Sequence, residues 1–132
     1  MTIRSVCMNM AAFFGLTSCF AAGGPEKISP DKARALLSGS PQYILVDVRT
    51  PAEYEAGHIP GAVLIPNETI TTTRPQQLPD VNAPVIVYCR SGRRSADAAR
   101  KLTAMGYTAV FDLGGIIDWP YATVKGSEPG KF

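Results

Sequence analysis

Cys89 is followed by Arg90, Ser91, Gly92, Arg93, Arg94 and Ser95, within the stretch VYCRSGRRSADAARKL. One thiol beside a cluster of guanidinium groups admits three readings: attack on phosphorus, attack on sulfur, or a basic turn with no chemistry. The thiolate is the reactive form of cysteine, and a positive environment lowers its pKa from the usual ~8.5 toward ~6 or below. The same charge draws in anionic substrates and makes Cys89 a plausible nucleophile. Gly92 lets the backbone curl around a ligand where a Cβ would be forbidden, and the arginines add full charge in a planar, fork-shaped group. The plain alternative is that strand-end cysteines are commonly small buried hydrophobes and loop arginines a solvated face.

The neighbouring elements decide how such a site would be held. Val85 to Tyr88 (VIVY) reads as a strand, and Ser95 to Met105 as a helix with alanine and leucine at helical spacing, stopped by Gly106. Residues 89 to 94 then form a loop between a strand end and a helix N-terminus, where backbone N–H groups and the helix dipole favour an anion. Residues 23 to 28 (GGPEKI) read as a short flexible lead. Ser29-Pro30-Asp31 opens a helix running to about Leu37, with serine as N-cap and proline at the first helical position. Tyr43 to Val48 suits a strand buried on both faces, and Thr50-Pro51-Ala52-Glu53 opens a second helix that Gly57 ends. Ala62 to Ile65 is a short strand closed by Pro66. Residues 67 to 83 form a polar, proline-punctuated connection. Ala109 to Phe111 is a further strand, Gly114-Gly115 a tight turn, and Ile116 to Trp119 a helical turn. Strands alternating with helices imply an α/β domain with a mainly parallel sheet, helices on both faces, and a site at the carboxyl ends of the strands.

A chain of 132 residues with 45% hydrophobic content fits one domain with an ordinary core. The net charge of +2 is too small to make nucleic acid or an anionic membrane the main partner. Residues 1–22 hold one charge, Arg4, then a short apolar stretch ending in small residues, the layout of a secretory signal peptide. Residues 23–132 would then be the mature domain, exported to the periplasm or cell envelope. Cleavage after Ala21 or Ala22 would release it. Alternatively Leu16-Thr17-Ser18-Cys19 resembles a bacterial lipobox, in which Cys19 would carry a lipid as the new N-terminus. On either route Cys89 is left as the free thiol, inert or kept for reactivity. One histidine and one free cysteine do not supply a metal site.

Two linked segments carry a family resemblance. ILVDVRTPAEYEAGHIPGAVLIP resembles the N-terminal rhodanese signature, and VYCRSGRRSADAARKLTAMGYTAVFDLGGIIDW resembles the C-terminal half with its cysteine loop, helix and glycine-pair-to-tryptophan ending. Both occur in the family's order and separation, over roughly residues 28 to 120. The chain is similar to single-domain rhodaneses, most of all the small periplasmic phage-shock type. The resemblance implies a rhodanese-like domain with a central, mainly parallel five-stranded sheet and helices on both faces. It implies a thiosulfate sulfurtransferase; no cofactor is expected, and the chain is expected to act as a monomer. Cys89 takes sulfane sulfur from a small anionic donor and passes it from a persulfide to cyanide or a thiol. Arg90, Ser91, Gly92, Arg93, Arg94 and Ser95 would hold the donor, with Asp47 and Arg49 framing the loop or serving as a strand-end ion pair. His58, in GHIPG, is part of a structural signature and is not assigned as a base.

Two alternatives stay open at this level. Phosphatases of related fold place an arginine six positions after the cysteine, to clamp a phosphoryl group bidentately. Position 95 is serine, and the loop ending at Arg94 is one residue shorter, which favours sulfur chemistry. Cys89-Arg90 resembles the thiosulfate-preferring loop more than the mercaptopyruvate type. The other alternative is a noncatalytic module that carries persulfide or binds thiols with the same loop.

Overall fold

The computed structural model describes residues 24–132. The processing routes expected for residues 1–22, acylation of Cys19 included, lie outside the described residues. Five strands, β1 (Glu26–Lys27), β2 (Ile44–Asp47), β3 (Val63–Leu64), β4 (Val85–Cys89) and β5 (Val110–Gly115), make one sheet in the order β1-β5-β4-β2-β3. Every pairing is parallel. Three helices connect them: α1 (Pro30–Leu37), α2 (Pro51–Ala56) and α3 (Arg93–Ala104).

All five residues of β4 are buried, because it is the central strand and both its faces are covered. An unbroken apolar run is what such a position requires. On one face Val46, Val48, Val85 and Val87 pack against Ala98, Ala99 and Leu102 of α3 and against Ile70 and Leu78 of the long connection. On the other, Leu45, Ile86 and Tyr88 meet Ala33 of α1 and Tyr54 of α2. The helices start where the sequence places caps. The Ser29 hydroxyl accepts from the Lys32 N–H at 3.1 Å, with Pro30 at the first helical position. Thr50 and Glu53 form a reciprocal capping box.

Three local expectations are corrected. Residues 26–27 of the lead pair with Phe111 and Asp112 as a parallel edge strand, covering backbone groups of β5 that would otherwise lie unpaired. Gly114 and Gly115 are not a turn but the end of β5, opposite Tyr88 and Cys89. The register slips there, since Val87 faces Asp112 while Tyr88 faces Gly114, so Leu113 is the extra residue of a bulge. Finally, α3 begins at Arg93 rather than Ser95. Gly92, at φ 109°, turns the chain straight from strand into helix, and Ser95 lies inside the first turn.

This topology leaves a crevice where the site belongs. From β2 the chain runs through α2 to the outer strand β3, while β4 continues through α3, on the opposite face, to β5 on its other side. Ligands of open α/β sheets settle at such a switch point, beyond the carboxyl ends of the strands. Cys89 ends β4 there and Arg49 follows the end of β2.

Candidate active site

Cys89 is 1% exposed and sits beneath the loop that follows it. The Gly92 N–H donates to its Sγ at 3.0 Å. Burial pushes the thiol up, but the N–H groups of Ser95, Gly92 and Ser91 outweigh it and bring the thiol below its ordinary value. The leading stabilisers are therefore backbone groups at the start of α3, more than the guanidinium groups that draw the eye in the sequence. Burial alone would make Cys89 an inert hydrophobe. The converging N–H donors favour its thiolate form.

Two groups that sequence reasoning missed fix the shape of this loop. The fully buried Ser95 donates its hydroxyl to Asp112 Oδ1 at 2.7 Å, and the Gly114 N–H donates to the same oxygen at 2.9 Å. One carboxylate thus ties the first turn of α3 to the bulge of β5. The signal that would have found it is an acid inside a strand otherwise apolar, two residues before a glycine pair. The second group is Gly115, which lies directly under the loop. A Cβ there would overlap the Arg90 carbonyl oxygen and come within 2.8 Å of Ser91 Cα. Both obstacles are backbone, so the loop itself has to move. Gly115→Ala is expected to lower kcat/KM by roughly 10²-fold, the scale of an ångström-level misplacement of reacting groups. The comparison is with wild type in a steady-state assay, on protein whose circular dichroism is unchanged.

The predicted arginines separate into distinct situations. Arg90 and Arg93 are exposed and, among the described residues, form no ion pair. Arg94 is bound by Glu53 of α2 through two parallel bonds, Nη1 to Oε1 at 2.8 Å and Nη2 to Oε2 at 3.0 Å. Arg100 bonds Asp97 on its own helix at 3.1 Å. Arg49 is buried against Asp47, with Nη2 at 2.7 Å from Oδ2 and Nε at 3.0 Å from Oδ1, and Nη2 also donates to the Gly57 carbonyl at 2.7 Å. Burial alone would lower the Arg49 pKa, but the bonds to Asp47 raise it above the ordinary value, so the guanidinium stays charged. An open cleft of about 330 Å³ beside the loop is lined by Arg49, Glu53, Arg90, Ile116 and Ile117 among others.

His58 is remote in role. Its ring is fully buried and stacks on Tyr54 at 3.8 Å, and its nitrogens face the carbonyl oxygens of Tyr54 and Glu128, both at 2.9 Å. It secures the C-terminal segment, whose Val124 also exchanges both backbone bonds with it at 2.8 Å.

A family model described as "Rhodanese-like domain" matches residues 29–121. Among curated proteins, thiosulfate sulfurtransferase PspE of Escherichia coli (strain K12) is 41% identical over 81 residues, 61% of this chain and 78% of that protein. A sulfurtransferase of Allochromatium vinosum is 39% identical over 95 residues, 71% of this chain and 87% of that protein. Among solved structures, a rhodanese with anions from E. coli superposes with a TM-score of 0.59 at 39% identity, over 64% of this chain and 99% of that one. The chain belongs to the rhodanese-like domain family.

Proposed function

We propose that this protein is a thiosulfate sulfurtransferase working through a persulfide on Cys89. It is an enzyme of the rhodanese type, and curated relatives bear the names thiosulfate sulfurtransferase and sulfurtransferase. The Cys89 thiolate attacks the outer sulfur of thiosulfate. A Cys89–sulfur bond forms, the sulfur–sulfur bond of thiosulfate breaks, and sulfite leaves with the electron pair. Cyanide or a thiolate then attacks the terminal sulfur of the persulfide, and Cys89 departs as thiolate. No redox partner or metal enters this balance.

The observation that carries the reading is the set of N–H groups at the start of α3 converging on the sulfur, with Gly92 N–H at 3.0 Å. These dipoles hold negative charge on Cys89 before attack and on the persulfide after it. The persulfide carries its reactive atom about 2 Å beyond Sγ. Arg90 and Arg93, which lack other ion-pair partners among the described residues, supply the charge that gathers the anionic donor. Arg94, expected beside them, is already engaged by Glu53.

The test is thiosulfate alone, followed by intact mass measurement. A gain of ~32 Da, one sulfur atom, is expected on protein that holds a reactive thiolate at Cys89. With cyanide added, thiocyanate should form catalytically. A mass gain without turnover would instead favour the carrier reading, in which the loop stores sulfur for a partner. We also propose export, on the signal-like layout of residues 1–22. Among the described residues no helix is long and apolar enough to cross a membrane. Processing that globomycin blocks would assign the lipid to Cys19.

A further inference from the structure

Glu53 is used twice by the fold. Its carboxylate caps α2, accepting from the Thr50 N–H at 3.1 Å, and it grips both ends of the Arg94 guanidinium. The second use is not needed for the first, because glutamine fills the same capping position. Arg94 is the second residue of α3 and close enough to Cys89 for its charge to feel the thiolate. Arg94 holds the Glu53 carboxyl down to about 2, so the pair is charged at neutral pH.

We propose that Glu53 is a specificity-determining positioning residue that holds Arg94 out of the anion cradle above Cys89. This leaves a cradle of backbone N–H groups with Arg90 and Arg93, which form no ion pair among the described residues, in place of three guanidinium groups. It rests on reading the loop as an anion site. The chemistry gives the restriction a purpose. Thiosulfate is distinguished from sulfate, phosphate and sulfite by its sulfane sulfur, which meets the thiolate and gains nothing from a third arginine. The oxyanions share the part that arginine clamps bidentately. A third guanidinium in the cradle would retain departing sulfite and admit sulfate and phosphate as inhibitors. It would also approach the arginine-clamped phosphate cradle, from which the loop after Cys89 departs by one residue. Glu53 occupies the fork that would make that clamp, and it does so from the wall of the cleft shared with Arg90.

The experiment is a titration of the full chain with sodium sulfate at constant ionic strength, followed through the backbone amide resonances of residues 90–95. It uses wild type, Glu53→Gln, Arg94→Gln and the double variant. Glu53→Gln is expected to tighten sulfate binding about tenfold, the scale of one added charge-assisted contact at a partly exposed site. The double variant should return to the wild-type value, and Arg94→Gln alone should stay within about twofold of wild type, because Arg94 does not face the anion while Glu53 holds it. In the thiocyanate assay the same change appears as stronger competitive inhibition by sulfate. A merely structural role for Glu53 would lower kcat without creating an Arg94-dependent gain in affinity. Unchanged sulfate affinity in Glu53→Gln, or a gain that survives in the double variant, overturns the proposal. If Glu53→Gln does not fold, Arg94→Gln decides: weakening of sulfate binding as large as that of Arg90→Gln would place Arg94 in the cradle already. Sulfate binding needs no turnover. A wild type that makes no thiocyanate but shows this pattern would refute the enzyme reading and leave the role of Glu53 standing.

Discussion

Cys89→Ser is expected to abolish sulfur transfer, with kcat/KM falling by roughly 10⁴-fold or more, the scale of losing a covalent nucleophile. The ~32 Da adduct formed with thiosulfate should disappear with it. Serine keeps the size of the side chain and can accept the Gly92 N–H bond, so the loop that closes over position 89 is preserved. What is lost is the anion. A hydroxyl stays protonated at any pH at which the protein is folded, and the N–H groups that lower the thiol have no charge to act on. The same argument fixes the pH dependence in wild type. Burial raises the Cys89 pKa and the N–H donors of Ser95, Gly92 and Ser91 more than reverse it. Persulfide formation should therefore rise with pH and level off below the range of an ordinary thiol. Stopped-flow single turnovers with thiosulfate would show this. A plateau reached only above pH 9 would remove the converging-dipole account. Stability follows the same sign. A folded-state pKa below the unfolded one adds stability that is full above the unfolded value and is lost as pH falls through the folded one. Cys89→Ser should thus cost more stability in alkaline buffer than at pH 5.

The strand, the cysteine at its end and the loop that follows are legible in the sequence because each signal is local. A strand of β-branched residues, a single thiol, a glycine and a run of helix formers stand next to one another from Val85 to Met105. The capped helices are legible for the same reason, since Ser29-Pro30 and Thr50-Pro51 with Glu53 carry their partners within one turn. What the sequence conceals is long-range. Asp112 meets Ser95 across 17 residues, and Arg94 meets Glu53 across 41. Each looks like an ordinary charge until the sheet order brings the strand ends together. Ser95 shows how a correct local preference misleads: serine is a good N-cap, yet Asp112 takes its hydroxyl and Gly92 makes the turn instead. The bulge at Leu113 has no sequence mark beyond the glycines after it, and it is what slides Gly115 under the Arg90 carbonyl.

The second large effect is on the ion pair that flanks this loop. Asp47→Asn is expected to destabilise the fold by about 3–5 kcal/mol, the cost of stranding one member of a buried pair. Asp47 is fully buried and Arg49 is 6% exposed, so little solvent is at hand to replace the lost charge. Asparagine keeps the volume and can still accept the Arg49 backbone N–H, now bonded to Asp47 Oδ1 at 2.9 Å. The charge and one face of the fork do not survive, leaving the Gly57 carbonyl and the face of Tyr88, 5.7 Å away, as the guanidinium's company. Urea unfolding gives the number directly. The double variant Asp47→Asn, Arg49→Met separates the two sources of loss, because it removes the stranded charge while keeping an apolar stem of similar length. It should recover at least half of the deficit, since replacing a whole buried pair is far milder than breaking it. If the double variant is as unstable as the single, the loss comes from packing around residue 47, and the pair contributes little as a pair. Arg49 also lines the cleft beside Arg90. On the proposed function, Asp47→Asn should therefore leave KM for the anionic donor unchanged or lower it, because an unpaired Arg49 adds positive charge to that cleft.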